Sequence, residues 1–156
     1  MSHVLVVFQA DTERTEQLAL AVGVGAVEAE ASLRLRRLRV PGAVEVGHKG
    51  YGTLAAADLL WADTVVVGLE SEKPGTEELK DLVTVLVSLD SSQMKGKQFW
   101  TFAAGGIDSE QTEAQGFVEE ALVRAGIAPK DIVSSDFPDQ LERMKAVGQQ
   151  FGQTRP

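Results

Sequence analysis

An unbroken apolar run, Val4-Leu5-Val6-Val7-Phe8, stops at the polar stretch Gln9–Arg14, and a helical pattern begins at Thr15. The run predicts a strand covered on both faces. The polar stretch predicts a turn, and Thr15 the N-terminus of a helix. Leu18, Val22, Ala26 and Ala29 recur at helical spacing, and Gly23 and Gly25 either weaken that helix or let another element approach closely. Leu33-Arg34-Leu35-Arg36 alternates as a strand with one wet face. Its arginines suit a sheet edge, where charge discourages pairing with another molecule. A glycine-rich loop, Pro41 to Gly52, leads to a short helix over Leu54–Ala62.

Thr64-Val65-Val66-Val67-Gly68-Leu69 predicts a central strand, and the loop Glu70–Thr76 leads to a helix bearing Leu79, Leu82, Val83 and Leu86. Thr76 is placed to cap that helix, with Glu77 and Glu78 in its first turn. Gln98–Ala103 predicts a fourth strand ending in Ala104-Gly105-Gly106. A helix from about Ser109 carries Phe117, Val118, Ala121, Leu122 and Ala125 on one face, with Gly126 at its end and Pro129 beyond. Asp131–Ser134 is a weak fifth strand, and Leu141, Met144, Val147 and Phe151 line a last helix. Strands alternating with helices predict a parallel sheet with helices on both faces, in one domain spanning residues 1–156.

Composition narrows the function classes. With 44% apolar and 24% charged residues the chain is ordinary globular material. A net charge of −8 lacks the basic footprint of a nucleic-acid or anionic-membrane binder. The absence of cysteine excludes disulfides, thiolate metal sites and cysteine nucleophiles. No leader-like segment and no long apolar span is present, so a cytoplasmic location is expected.

Ligands of such sheets bind beyond the carboxyl ends of the strands: here Gln9–Arg14, Glu70–Thr76 and Ala104–Ser109. The first of these, a strand-to-helix turn, suits an anion, because free N–H groups and the helix dipole meet there. Asp11 and Glu13 oppose that reading. At an effective dielectric of about 20, a like-charge pair at about 4 Å costs roughly 4 kcal/mol. Arg14 offsets one carboxylate. In the competing reading Asp11 or Thr12 caps the helix, Glu13 complements its dipole, and the turn satisfies itself.

The remaining chemistry-bearing residues point to no reaction, and no catalytic residue stands out. Asp108, Glu110 and Glu113 read as acids of a helix's first turn rather than a metal site. His3 abuts the first strand, His48 lies in the glycine-rich loop near Lys49, and Tyr51 stands alone between two glycines. Trp61 and Trp100 read as core or interface. No nucleophile elbow, Ser/His/Asp set or dinucleotide fingerprint occurs.

Together these segments resemble the flavodoxin-like superfamily, most of all the FMN-binding NAD(P)H:quinone oxidoreductases of the WrbA type. Four stretches carry the resemblance: Thr15-Glu16-Gln17-Leu18-Ala19, Leu60-Trp61-Ala62-Asp63 running into Val65-Val66-Val67-Gly68, Gly96-Lys97, and Ala146-Val147-Gly148-Gln149-Gln150-Phe151. The resemblance implies a three-layer fold with five parallel strands in the order 2-1-3-4-5, FMN as cofactor, NAD(P)H and a quinone as partners, and a homo-oligomer. It places the phosphate at Thr12, Arg14 and Thr15 and the flavin ring at Ser71, Gly105 and Gly106. The loops depart from the family pattern. Ala10-Asp11-Thr12-Glu13-Arg14-Thr15 stands where Ser/Thr-x-Thr-Gly-x-Thr is usual, and Glu70-Ser71-Glu72-Lys73-Pro74-Gly75 brings no aromatic to cover a ring. Two functions are consistent with this: an FMN-dependent redox protein with a weakened flavin site, or a pseudo-flavodoxin that has kept the fold as a protein-interaction or structural module. A receiver-like domain of the same strand order fits less well, since it lacks an acidic cluster after the first strand.

Overall fold

The computed structural model describes residues 2–9, 13–38, 52–106, 110–133 and 135–152. Five strands, β1 (His3–Phe8), β2 (Ser32–Arg37), β3 (Thr64–Leu69), β4 (Gln98–Ala103) and β5 (Ala128–Pro129), form one parallel sheet in the order 2-1-3-4-5. Among the described residues five α-helices cover it: α1 (Glu13–Glu28), α2 (Ala56–Trp61), α3 (Glu77–Val87), α4 (Glu113–Arg124) and α5 (Gln140–Gly152).

The strand period of two splits the apolar runs into two cores, one per face. Val4, Val6, Phe8, Val66 and Phe102 meet Leu18, Ala19 and Val22 of α1 and Met144, Val147 and Phe151 of α5. Leu5, Val7, Val65, Val67 and Leu69 meet Leu59 of α2, Leu79, Leu82 and Leu86 of α3, and Val118 and Leu122 of α4. Every residue of β3 is buried, as its uninterrupted apolar sequence requires.

Gly25 of α1 is resolved in favour of close packing, whereas a β-carbon on Gly23 would meet only the side chains of Leu33 and Leu35. A β-carbon on Gly25 would lie 1.9 Å from the Lys145 carbonyl oxygen, and one on Gly148 would lie 1.9 Å from that of Val22. The backbones of α1 and α5 therefore touch, which only glycine allows.

The edge position of β2 is as expected. Arg34 and Arg36 both donate to the buried Asp58 carboxylate, at 3.1 and 3.2 Å, so the arginines are tied down as well as repelling a neighbour. Arg34 also lies over the Trp61 ring, whose other partner is the stacked His3 imidazole, 4.6 Å away. His3 Nδ1 is 3.1 Å from the Trp61 carbonyl, so His3 is structural.

Three boundaries and one core position differ from expectation. Helix α1 starts at Glu13, two residues early, because Glu13 and Glu16 complement the dipole of its first turn. Helix α4 starts at Glu113, after a capping box in which Thr112 Oγ1 accepts from Gln115 N and the Gln115 side chain accepts from Thr112 N. Glu110 thus precedes the helix. The fifth strand is Ala128–Pro129 instead of Asp131–Ser134, held by Ala128 N to Lys97 O and Lys130 N to Phe99 O. Leu141 is 40% exposed and does not join the α5 core face, where Gly148 replaces it. Asp11, Thr12, His48, Tyr51 and Asp108 lie outside the described residues, as does most of the glycine-rich loop.

Candidate functional site

The carboxyl ends of β1, β3 and β4 meet at one end of the sheet, in register through Phe8, Gly68 and Phe102. Gln9, the first polar residue after β1, is fully buried there. Its Oε1 accepts from the Glu70 and Ser71 N–H groups, at 2.6 and 2.8 Å, and its Nε2 donates to Ser71 Oγ at 2.9 Å. One amide thus fixes the start of the loop after β3. Ser71 is held by Gln9, and two of the loop's N–H groups are used internally.

That loop is tied at its far side to α4. Ala114 N donates to Glu72 O at 3.0 Å, and Lys73 Nζ pairs with Glu113 at 2.7 Å. The Glu113 carboxylate, through this hydrogen bond, holds the Lys73 ammonium above its ordinary value. Behind the loop, Thr101 of β4 donates to Glu119 and accepts from Gln115, and Glu119 also accepts from Gln111. This network fixes the approach to α4.

Between these elements lies a cavity of about 440 Å³, lined by Glu70 and Glu72, by Ala103, Ala104 and Gly105, and by Glu110, Gln111 and Thr112. It has the size of a small-ligand site, and three of its lining residues are acidic. A second cavity, of about 390 Å³, lies between α3 and α4, away from these loops, with Leu86, Phe117 and Ala121 in its wall beside Ser91, Glu120 and Arg124.

The turn after β4 is gripped from two sides. Arg14, in the first turn of α1, donates from Nε to the Ala104 carbonyl. Gln140, the first residue of α5, donates from Nε2 to the Gly105 carbonyl at 3.3 Å. Gly106 has φ +85°, a conformation that favours glycine, and a β-carbon there would lie 1.9 Å from Gln140 Nε2 and displace that side chain. Thr15, the third residue of α1, is wholly buried, and its Oγ1 has no hydrogen-bond partner among the described residues.

Of the residues singled out from the sequence, Arg14 bonds the Ala104 carbonyl, next in the chain to Gly105 and Gly106. Ser71 lies across the cavity on the β3 loop, and Thr12 falls outside the described residues. Gln9 and Gln140 were missed. Gln9 had one available signal: it is the first polar side chain at the carboxyl end of a buried strand. Gln140 had none, since its partners come from the β4 turn.

No protein-family model matches the chain, and no curated protein matches it in sequence. Solved structures do match in fold. Oxidised flavodoxin 2 from Bacillus cereus aligns at a TM-score of 0.68 with 20% identity, over 96% of this chain and 97% of that one. Two-electron reduced Megasphaera elsdenii flavodoxin aligns at 0.63 with 19% identity, over 97% and 99%. A flavodoxin from the domain Archaea aligns at 0.64 with 15% identity, over 96% of each chain. Strand order and structural likeness agree that the fold is flavodoxin-like: a five-stranded parallel sheet, 2-1-3-4-5, between two layers of helices.

Proposed function

We propose that this chain is an FMN-binding redox protein whose flavin site is narrowed and acidic. The observation that carries the reading is Thr15. A hydroxyl buried without a partner costs roughly 1–3 kcal/mol. This one lies in the first turn of a long helix, at the carboxyl end of a central strand, the helix end whose dipole favours an anion. A phosphate would give Thr15 its partner, so the residues present fit the phosphate half of the cofactor.

In this reading Thr15, Arg14 and Thr12 hold the phosphate. Arg14 keeps its Nε on the Ala104 carbonyl and turns its remaining N–H donors to the anion. The ring half is bordered by Ser71 and the Gly105–Gly106 turn, beside the cavity between the β3 and β4 loops. The bound flavin supplies hydride and electron transfer. The protein contributes a fixed loop, through Gln9, and a field of carboxylates from Glu70, Glu72 and Glu110 that disfavours negative charge. A nicotinamide donor and a quinone-like acceptor, in a homo-oligomer, belong to the same proposal and are supported by the sequence resemblance.

A second reading has its own observation. The Glu70 and Ser71 amides are occupied by Gln9, and no aromatic among the described residues lines the cavity. A site closed by its own side chains makes the fold a scaffold for protein partners. Visible absorbance of the fresh protein and an FMN titration by fluorescence quenching separate the two. A yellow protein, or a Kd of about 1 μM or tighter, about −8 kcal/mol, supports the flavin reading. A colourless protein indifferent to saturating FMN overturns it in favour of the scaffold.

A further inference from the structure

We infer that Gln140 is a ligand-reading residue of this site, its Oε1 the acceptor for an N–H or O–H donor of the flavin's ring or ribityl chain. The inference rests on the FMN reading. Three observations converge on it. Oε1 of Gln140 is buried and has no hydrogen-bond partner among the described residues. The Nε2 of the same amide donates to the Gly105 carbonyl, which fixes which end of the amide is left unpaired. The side chain lies against the α-carbon of Gly106, where any β-carbon would displace it.

An amide oxygen accepts and never donates, so phosphate cannot satisfy it; its partner must carry a hydrogen. Thr15 and Gln140 are thus two unpaired buried groups of different chemistry on α1 and α5, helices packed against one another. Arg14 of α1 and Gln140 of α5 grip adjacent carbonyls of the one turn, Ala104 and Gly105. The hydroxyl suits an anion, and the amide oxygen suits the uncharged, donor-bearing remainder of the molecule. A site reading both ends of a mononucleotide needs both groups.

Riboflavin, which lacks the phosphate, separates the two roles. Gln140→Leu is expected to weaken riboflavin and FMN by the same factor, about tenfold for one lost hydrogen bond, with a small fall in the urea midpoint of the flavin-free protein because the Nε2 bond to the Gly105 carbonyl is lost as well. Thr15→Val is expected to weaken FMN alone. In the wild-type protein the side-chain amide NMR resonances of Gln140 are expected to shift on riboflavin addition, a readout that needs no variant to fold. Unchanged affinities for both flavins in Gln140→Leu, or amide resonances that ignore riboflavin while the wild type binds it, overturn the role of Gln140 and leave the FMN reading standing. A wild type that binds neither flavin overturns both.

Discussion

Gln9 and Ser71, 62 residues apart in the chain, are joined twice: the amide oxygen of one accepts the backbone N–H of the other, and the amide nitrogen donates to its hydroxyl. With the Glu70 N–H also on that oxygen, a single buried side chain anchors the β3 loop to β1. Truncating it leaves several buried polar groups without partners. Gln9→Leu is expected to destabilise the fold by about 1–3 kcal/mol, read from urea unfolding. Amide exchange of Glu70 and Ser71 should accelerate far more than that of Val66 in the strand interior. Unchanged protection at those two amides would show that the loop is held by something else.

The contact between α1 and α5 makes a sharper test, because one substitution type should act with opposite sign at two helical glycines. Gly25→Ala must push the α5 backbone away from Lys145, and overpacking of this kind costs about 1–3 kcal/mol. Gly116 in α4 has nothing nearer than 3.8 Å to an added β-carbon, so Gly116→Ala should stabilise by about 0.5–1 kcal/mol through helix propensity alone. Thermal midpoints of the two variants settle it; equal shifts would mean that the helices separate without cost.

Thr15→Val keeps the shape and removes the hydroxyl. Since Oγ1 has no partner among the described residues, the flavin-free protein should be as stable as wild type, or more so by about 1 kcal/mol. Inorganic phosphate should stabilise the wild type more than the variant, by the linkage RT ln(1 + [L]/Kd). A variant that melts earlier even without ligand would show that the hydroxyl already has a partner.

Much of the fold was legible because the buried strands are apolar throughout: β3 and β4 appear at the residues expected. The failures have physical causes. At α4 the acidic run masked the real cap, Thr112 with Gln115. At β5 a two-residue exposed strand ending in proline carries no period to detect, and its only signal is pairing with β4. Leu141 fits the helical spacing but sits on the first turn of α5, beyond the edge of the core. The site was legible by location and not by membership. Strand ends pointed to the loops after β3 and β4, whose residues line the cavity, whereas Gln9 and Gln140 act through contacts 61 and 35 residues away.

Asp90 caps the short 3-10 turn Ser91–Met94, accepting from the Ser92 N–H at 3.0 Å and the Ser92 hydroxyl at 2.9 Å. These bonds, the backbone one foremost, hold its carboxyl below the ordinary value of 3.8. A carboxyl lowered on folding stabilises the fold above its unfolded value, and that contribution is lost as pH falls through the folded one. The urea midpoint of wild type should therefore exceed that of Asp90→Asn by a constant amount at neutral pH and converge on it only below about pH 4. A gap that persists at about pH 2 would assign the difference to the turn's shape instead of its charge.

Glu70, Glu72 and Glu110 line the cavity while the net charge of the chain is −8, so an incoming FMN dianion meets a repulsive field. The field is partly exposed and therefore modest, about 0–1 kcal/mol per carboxylate. It is also screened over about 10 Å at about 0.1 M salt. Salt should then strengthen FMN binding to wild type, the reverse of its usual effect on a phosphate site built from cations. The triple variant Glu70→Gln, Glu72→Gln, Glu110→Gln should bind several-fold tighter at low salt and respond less to added salt. Titrations at two ionic strengths give both quantities. A wild-type affinity that falls with salt would show that Arg14 and the α1 N-terminus outweigh the carboxylates. Binding that appears only in the triple variant would show that those carboxylates alone keep the flavin out.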